Sequence, residues 1–302
     1  MRLTLITTKL VAFYQNRKET EKNAIMEINE KEQKTEFKLT NENYHSPEAR
    51  KRYLGNSSFK EFLKCEVMGL ARANGEIEEK KSDALLFGAY VDAYFSGELN
   101  EFIAQNPDMF TKQGTLKSQF KAADDVIKTI EEDPVLMKYL DGQKQVIMTG
   151  EIAGVPFKIK MDAYHPGKVI VDQKIMKDME PMWIEKDGKN VLTDFVSGYG
   201  YDIQGAIYQT IEAQNSADHK KLPFVLAVTT KEDVPDKELI EIDQYYLESA
   251  LDLVKAKAPR FWDIIQGKIE PVGCGHCPAC RARKKLTGVK SYERLFKEKE
   301  EQ

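Results

Sequence analysis

A mixed α/β fold, of the α+β kind, is predicted by three features of this 302-residue chain. Residues 145–174 hold three short strand-like runs separated by turns. A helical pattern follows at 198–209, GYGYDIQGAIYQ. Two further strand-like runs, 223–230 and 239–242, lead into a long amphipathic pattern from 243 or 244 to about 265.

Taken from the start, residues 1–40 read as a flexible N-terminal extension, dense in Lys, Glu, Asn and Gln between Arg17 and Lys38. Met26 opens a stretch that would serve as a start by itself. Residues 1–25 are therefore weighed as an upstream extension of the reading frame against an amphipathic arm. Ser46 and Pro47 have the order of a helix cap and first helical residue. Behind Asn56-Ser57-Ser58, the residues Phe59, Phe62, Leu63 and Val67 form a helical stripe. Residues 82–95 read as an apolar helix in which Asp92 is the odd residue. Residues 100–140 read as a linker and one or two helices, with Lys117, Lys121 and Lys128 on a solvated face, a DNA groove being the alternative. Pro259 is expected to kink or break the long helix.

The central stretch carries the chemistry. Gln145–Ile152 is mostly apolar and ends in the small turn Ala153-Gly154. Phe157, Ile159, Met161 and Ala163 then alternate with Lys158, Lys160, Asp162 and Tyr164. This period of two marks a strand with one buried face and puts Asp162 on the polar one. His165-Pro166-Gly167-Lys168 is a turn signal. Val169-Ile170-Val171 runs straight into Asp172-Gln173-Lys174, where Asp172 and Lys174 share a face. A carboxylate from each of two adjacent strands suits Mg²⁺ or Mn²⁺, which prefer oxygen ligands. A lysine beside them can orient or deprotonate water and offset developing charge. Gln204 and Tyr208, four apart, lie on one helical face. Residues 179–195, with Trp183, read as a loop or insertion near the site. Trp183, Tyr199, Tyr201 and Tyr208 are read as packing groups, with base stacking the alternative.

All four cysteines fall in one pattern: Cys65 alone, then Cys274, Cys277 and Cys280 as C-x2-C-x2-C. That favours a metal in a reducing cytoplasm over a disulfide framework. Thiolate-only ligation at tight spacing fits a [4Fe–4S] cluster; Zn²⁺, with or without His276, is the alternative. Arg281, Arg283, Lys284 and Lys285 follow at once and suit a phosphate backbone. Residues 291–302 form a charged tail. The net charge of −4 speaks against a sequence-independent coat on nucleic acid but not against a local basic patch. No run has the length of a membrane span, and no cleavage site follows the first residues.

D…D-x-K followed by Q-x-x-x-Y resembles the RecB-type branch of the PD-(D/E)XK nucleases. The one-plus-three cysteines resemble the iron–sulfur staple of AddB-type and CRISPR-adaptation nucleases. The similarity spans about 40–290 and is strongest to RecE-like phage exonucleases. It implies a restriction-endonuclease-like core: a helix, a three-stranded antiparallel meander, a second helix and a further strand. It implies one nuclease domain over 41–290, its two ends joined by the metal cluster. Asp162, Asp172 and the carbonyl of Gln173 would hold Mg²⁺ or Mn²⁺, with Lys174 acting on water. Gln204 and Tyr208 would brace that lysine or contact DNA phosphate. The family's Gly-x-x-x-His helix supplies a further ligand; here Gly88 is followed by Asp92, which makes Asp92 the candidate. The implied partners are double-stranded DNA ends and a RecT-like annealing protein, in the cytoplasm of a bacterial host and with no membrane. A homo-oligomer would explain processive digestion. The alternative is a DNA-binding recombination accessory with a weakened nuclease site, and Asp92 is its support.

Overall fold

A computed structural model describes residues 37–77, 82–186, 189–286, 288–289 and 291–293. Residues 1–36 of the extension expected at 1–40, the turn residues 187–188 and most of the charged tail lie outside the described residues. Asn41–Gln302 forms one compact unit.

The helices, in order, are α1 (Pro47–Arg52), α2 (Asn56–Lys64), α3 (Glu66–Ala73), α4 (Asp83–Ser96), α5 (Leu99–Gln105), α6 (Ala122–Glu131), α7 (Pro134–Leu140), α8 (Phe195–Tyr199), α9 (Tyr201–Asn215), α10 (Gln244–Ile265) and α11 (Pro278–Arg283). Ser46 caps α1 as its position predicts, its Oγ accepting from the Ala49 N–H at 3.1 Å.

The sheet is organised on β3 (Val155–His165). Along one edge β2 (Gln143–Ile152) pairs antiparallel with it over nearly the whole length. The other edge is shared. The two-residue β1 (Leu54–Gly55) pairs in parallel beside Phe157 and Lys158. β4 (Val169–Met176) pairs antiparallel only at Ala163, Tyr164 and His165. It then parts from β3, while its other edge pairs in parallel with β7 (Phe224–Thr230) from Ile170 to Met176; β7 carries β8 (Lys237–Glu241) on its far side. The meander implied by the resemblance is therefore present, with a fork between its second and third strands. β7 is buried at every position, as a strand covered on both faces must be.

Two cores cover the two faces. One gathers Leu54, Phe59, Phe62, Ile207, Phe224 and Phe261 from β1, α2, α9, β7 and α10. Phe62 and Phe261 stack at 5.2 Å. The other gathers Phe87, Val91, Val126, Ile130, Val171 and Ala227 from α4, α6, β4 and β7. Each large apolar side chain fully buried in this way contributes about 1.5–3 kcal/mol. The close approach of α9 to the sheet depends on Gly205: a Cβ there would stand 2.7 Å from the Phe224 ring and 2.8 Å from Leu247.

One expectation is corrected and one narrowed. α10 runs unbroken through Pro259. The lost hydrogen bond and ring clash, about 3 kcal/mol, are outweighed by one buried face of Leu247, Leu251, Val254, Ala258, Phe261 and Ile264. Of the two readings of residues 179–195, a loop or an insertion, the second holds: they carry a hairpin, β5 (Met182–Lys186) and β6 (Lys189–Thr193), that stands apart from the main sheet.

Lys158 on β3 is only 3% exposed. Its Nζ contacts the Tyr44 carbonyl and lies 4.6 Å from the Tyr44 ring. Burial, then the Arg50 charge, lowers its pKa to about 7. The unfolded chain therefore binds the extra proton between pH 7 and about 10. Native stability should rise with pH across that window, by at most about 1.4 kcal/mol per pH unit from this group. Urea midpoints should show that rise in the wild type and a flatter profile in Lys158→Met. Equal slopes in both would disprove the assignment.

Candidate active site

The fork places the acidic residues. Where β4 turns away from β3, the Gln173 N–H has lost its strand neighbour and instead donates to Asp162 Oδ2 at 2.9 Å. Asp162 thus sits on β3 at the crotch, with Asp172 one residue farther along β4. Strand alternation breaks at this point: Met161 and Tyr164 join one core and Ala163 the other.

Asp172 is 2% exposed. Gln204 on α9 donates from Nε2 to its Oδ1 at 2.6 Å. Its Oδ2 is in ion-pair contact with Lys174 Nζ without a well-aligned hydrogen bond. Burial opposes the charge on Lys174, but Asp172 and Asp162 outweigh it and hold the ammonium protonated beyond its usual range. The Tyr201 ring lies under that ammonium at 5.0 Å. Tyr208, one turn after Gln204 on the same helix, is buried. Burial, then the Tyr44 hydroxyl and the two aspartates, raises its pKa. Gln204 and Tyr208 therefore face the site, but Gln204 braces Asp172 rather than the lysine itself.

Asp92 comes in from α4 on the other side. Burial raises its pKa, as does the charge on Asp172, against the pull of Lys160 and Lys174. Asp162 is raised well above the usual carboxylate range by burial first, then by Asp172 and Asp92. The three carboxylates that the sequence singled out thus share one electrostatic neighbourhood with one paired lysine. Hard oxygen donors in excess of their counter-charge fit Mg²⁺ or Mn²⁺.

Three neighbours escaped the sequence reading. Lys60 on α2 donates to the Tyr199 carbonyl at 3.0 Å and lies 5.7 Å from the Tyr201 ring. Burial, then the Lys174 charge, lowers its pKa to about 8. Tyr44 lies near enough to Asp162 for that charge to raise its hydroxyl pKa further, after burial. Gln145 on β2 donates from Nε2 toward both Asp92 oxygens, 3.4 Å from each. No motif spacing marks any of the three.

The profile of the PDDEXK-like domain of unknown function (DUF3799) matches residues 55–283, about three-quarters of the sequence. The chain belongs to the PDDEXK-like family. A crystal structure of a protein from Eubacterium rectale, provisionally named an exonuclease, superposes with a TM-score of 0.80 at 44% identity. The match covers 86% of this chain and 98% of that one. No curated protein matches the sequence. The expected PD-(D/E)XK fold and superfamily are borne out, with a nuclease as the coarse activity.

This PDDEXK-like chain also brings its cysteines together. Cys65, between α2 and α3, meets Cys274, Cys277 and Cys280, with all four sulfurs within 4.8 Å of one another. The Sγ separations are 3.6 Å for Cys65–Cys280 and Cys65–Cys277, and 4.0 Å for Cys274–Cys280. Backbone N–H groups of Cys274, Cys277 and Cys280 point at the sulfurs of Cys65, Cys274 and Cys277 at 3.3–3.4 Å. Burial opposes a thiolate at Cys274, yet the N–H groups of His276 and Cys277 bring its pKa down to about 6. A tetrahedron of thiolates at a Zn–S length of ~2.3 Å has edges of about 3.8 Å. The sulfurs as placed fit one such ion. A four-iron cubane stands between its thiolates and needs them wider apart.

Beyond the cysteines the basic run is partly engaged. Arg281 Nε donates to the His276 carbonyl at 2.6 Å, and Arg283 pairs with Glu76 at 3.2 Å. Lys284 and Lys285 are exposed. Among the described residues, no helix is long and apolar enough to cross a membrane.

Proposed function

We propose that this protein is a Mg²⁺- or Mn²⁺-dependent deoxyribonuclease, an exonuclease of the phage type that resects double-stranded DNA ends for a RecT-like annealing partner in the bacterial cytoplasm. One observation carries the reading. Asp162 and Asp172 flank a strand fork, and Lys174 is held charged against Asp172.

Asp162, Asp172, Asp92 and the Gln173 carbonyl would hold the cation. A bound divalent cation supplies Lewis acidity and neutralises phosphate charge. The chain's own residues do the rest. Gln204 fixes the Asp172 carboxylate, and Tyr208 is buried one turn on from it along α9. Lys174, protonated as it stands, acts as a donor: it aims the attacking water and then faces the developing charge on the phosphate. Lys60 adds a second cation on the α2 side. Exposed Lys284 and Lys285 suit the DNA backbone. For the cysteines, the sulfur spacing supports a single zinc ion, while the one-plus-three order supports an iron–sulfur cluster by resemblance. We take the spacing as the stronger support.

The test is digestion of end-labelled linear duplex with Mg²⁺ or Mn²⁺. Progressive loss of label from one end is expected, and which end goes first gives the polarity. Intact duplex, with DNA still bound, would leave the recombination accessory in its place.

A further inference from the structure

We infer that Gln145 is an additional oxygen ligand of the catalytic cation, its Oε1 completing the set on the Asp92 side. The inference rests on the reading of the carboxylates as a divalent-cation site.

Three observations meet at this residue. Its backbone has φ +51° inside a β-strand, a left-handed conformation that side chains with a Cβ rarely adopt. A turn would place glycine or asparagine there; here it is a glutamine, and it is 6% exposed. Its Nε2 is directed at both Asp92 oxygens, but its Oε1 is buried without any hydrogen-bond donor. The register places the residue itself beside the site. Lys144 pairs with Ala163 and Val146 with Met161, so Gln145 lies opposite Asp162. The direct Cα pairing is interrupted at that one step.

Strain and an orphaned buried acceptor at the same position are both unfavourable in the fold alone. Such outliers gather where a site needs them. An amide has two ends, and here each has a different task. The NH₂ group holds the Asp92 carboxylate, which fixes which way the carbonyl points. The carbonyl is then a neutral oxygen ligand between Asp92 on α4 and Asp162 on β3, of the kind Mg²⁺ and Mn²⁺ accept. It adds a donor atom where three carboxylates already repel one another, without adding a fourth charge.

The experiment is calorimetric titration of the metal-free full chain with Mn²⁺, paired with thermal melts. Gln145→Met should weaken Mn²⁺ binding by about ten- to a hundredfold. Gln145→Gly, which suits the backbone conformation but lacks the oxygen, should weaken it equally and melt no lower than wild type without metal. Gln145→Glu should keep the affinity. A residue that only supports the fold would do the reverse: both uncharged variants would melt lower and bind Mn²⁺ as wild type does, which overturns the inference. Wild-type affinity in Gln145→Gly alone is enough to overturn it if Gln145→Met does not fold. Should the wild type bind no Mn²⁺, the inference falls together with the nuclease reading. Should the wild type bind and cleave while the Gln145 variants match it, the inference falls alone.

Discussion

Lys174→Ala should abolish digestion of duplex ends, lowering the rate on the order of 10³-fold or more, about 4 kcal/mol of barrier. Among the described residues the lysine is the one cation in direct contact with Asp172, and the barrier it lowers is electrostatic. Its side chain is four-fifths buried, and a donor there works in low dielectric and needs no reorganisation during the reaction. The same substitution has a second consequence. It leaves Asp172, Asp162 and Asp92 facing one another with less counter-charge, and breaking a buried pair from one side costs about 3–5 kcal/mol. The metal-free variant should therefore unfold at lower urea than wild type, and Mn²⁺ should recover much of the difference. Asp172→Asn should separate the two effects. It removes a ligand, and cleavage with it, but also relieves repulsion on Asp162, so its metal-free stability should fall less. Rates on end-labelled duplex and urea midpoints with and without Mn²⁺ check both variants. Cleavage at the wild-type rate in either one rules out the assigned site.

The parts of this site that could be read from sequence are those set by local periodicity. Asp162 and Asp172 stand at strand positions of known parity, and Gln204 and Tyr208 one helical turn apart. Asp92 stood out because a carboxylate is costly in an apolar helix. What escaped was set by non-local contact. The fork exists because β4 parts from β3 after Val171 while it stays paired with β7, fifty residues on in the chain, and no pattern inside β4 announces it. Gln145 reads as the first residue of an ordinary apolar strand; its left-handed backbone arises only where β2 is laid against Asp162. Lys60 occupies the polar side of the α2 stripe, and it is the packing of Gly200 and Tyr201 over it that shields it from water. The hairpin at 182–193 was missed for a different reason. It has apolar residues on both faces, Trp183 and Leu192 on one and Ile184 and Val191 on the other. With no clean alternation, the period-two signal is absent. In α10 the error ran the other way: a local rule about Pro259 was given weight that a long buried face overrides.

Loss of the metal from the cysteine centre should release the C-terminal segment and lower the melting temperature by ~10 °C or more. The segment has little else to hold it. α11 is six residues long, too short to persist alone. The apolar cluster beneath it is small, with Val67, Met68 and Ala71 meeting Ala279. Outside the thiolates, the main clamp is Glu66, which receives Arg260 in a bidentate pair at 2.7 and 2.8 Å and the Val272 N–H at 2.7 Å. Cys277→Ser should therefore leave metal sub-stoichiometric and open Arg281 and Arg283 to trypsin, while Glu66 still holds the chain at Val272. One zinc per chain and no labile sulfide are expected from the sulfur spacing; iron with sulfide would show that the thiolates open around a cluster instead. The effect should also reach the active site. Cys65 is the single residue between α2 and α3, so the centre fixes the corner from which α2 presents Lys60 to Tyr199 and Tyr201. Cys277→Ser should thus digest DNA more slowly even below its own melting temperature. An unchanged rate and unchanged trypsin resistance would mean that the four thiolates lie together without holding the fold.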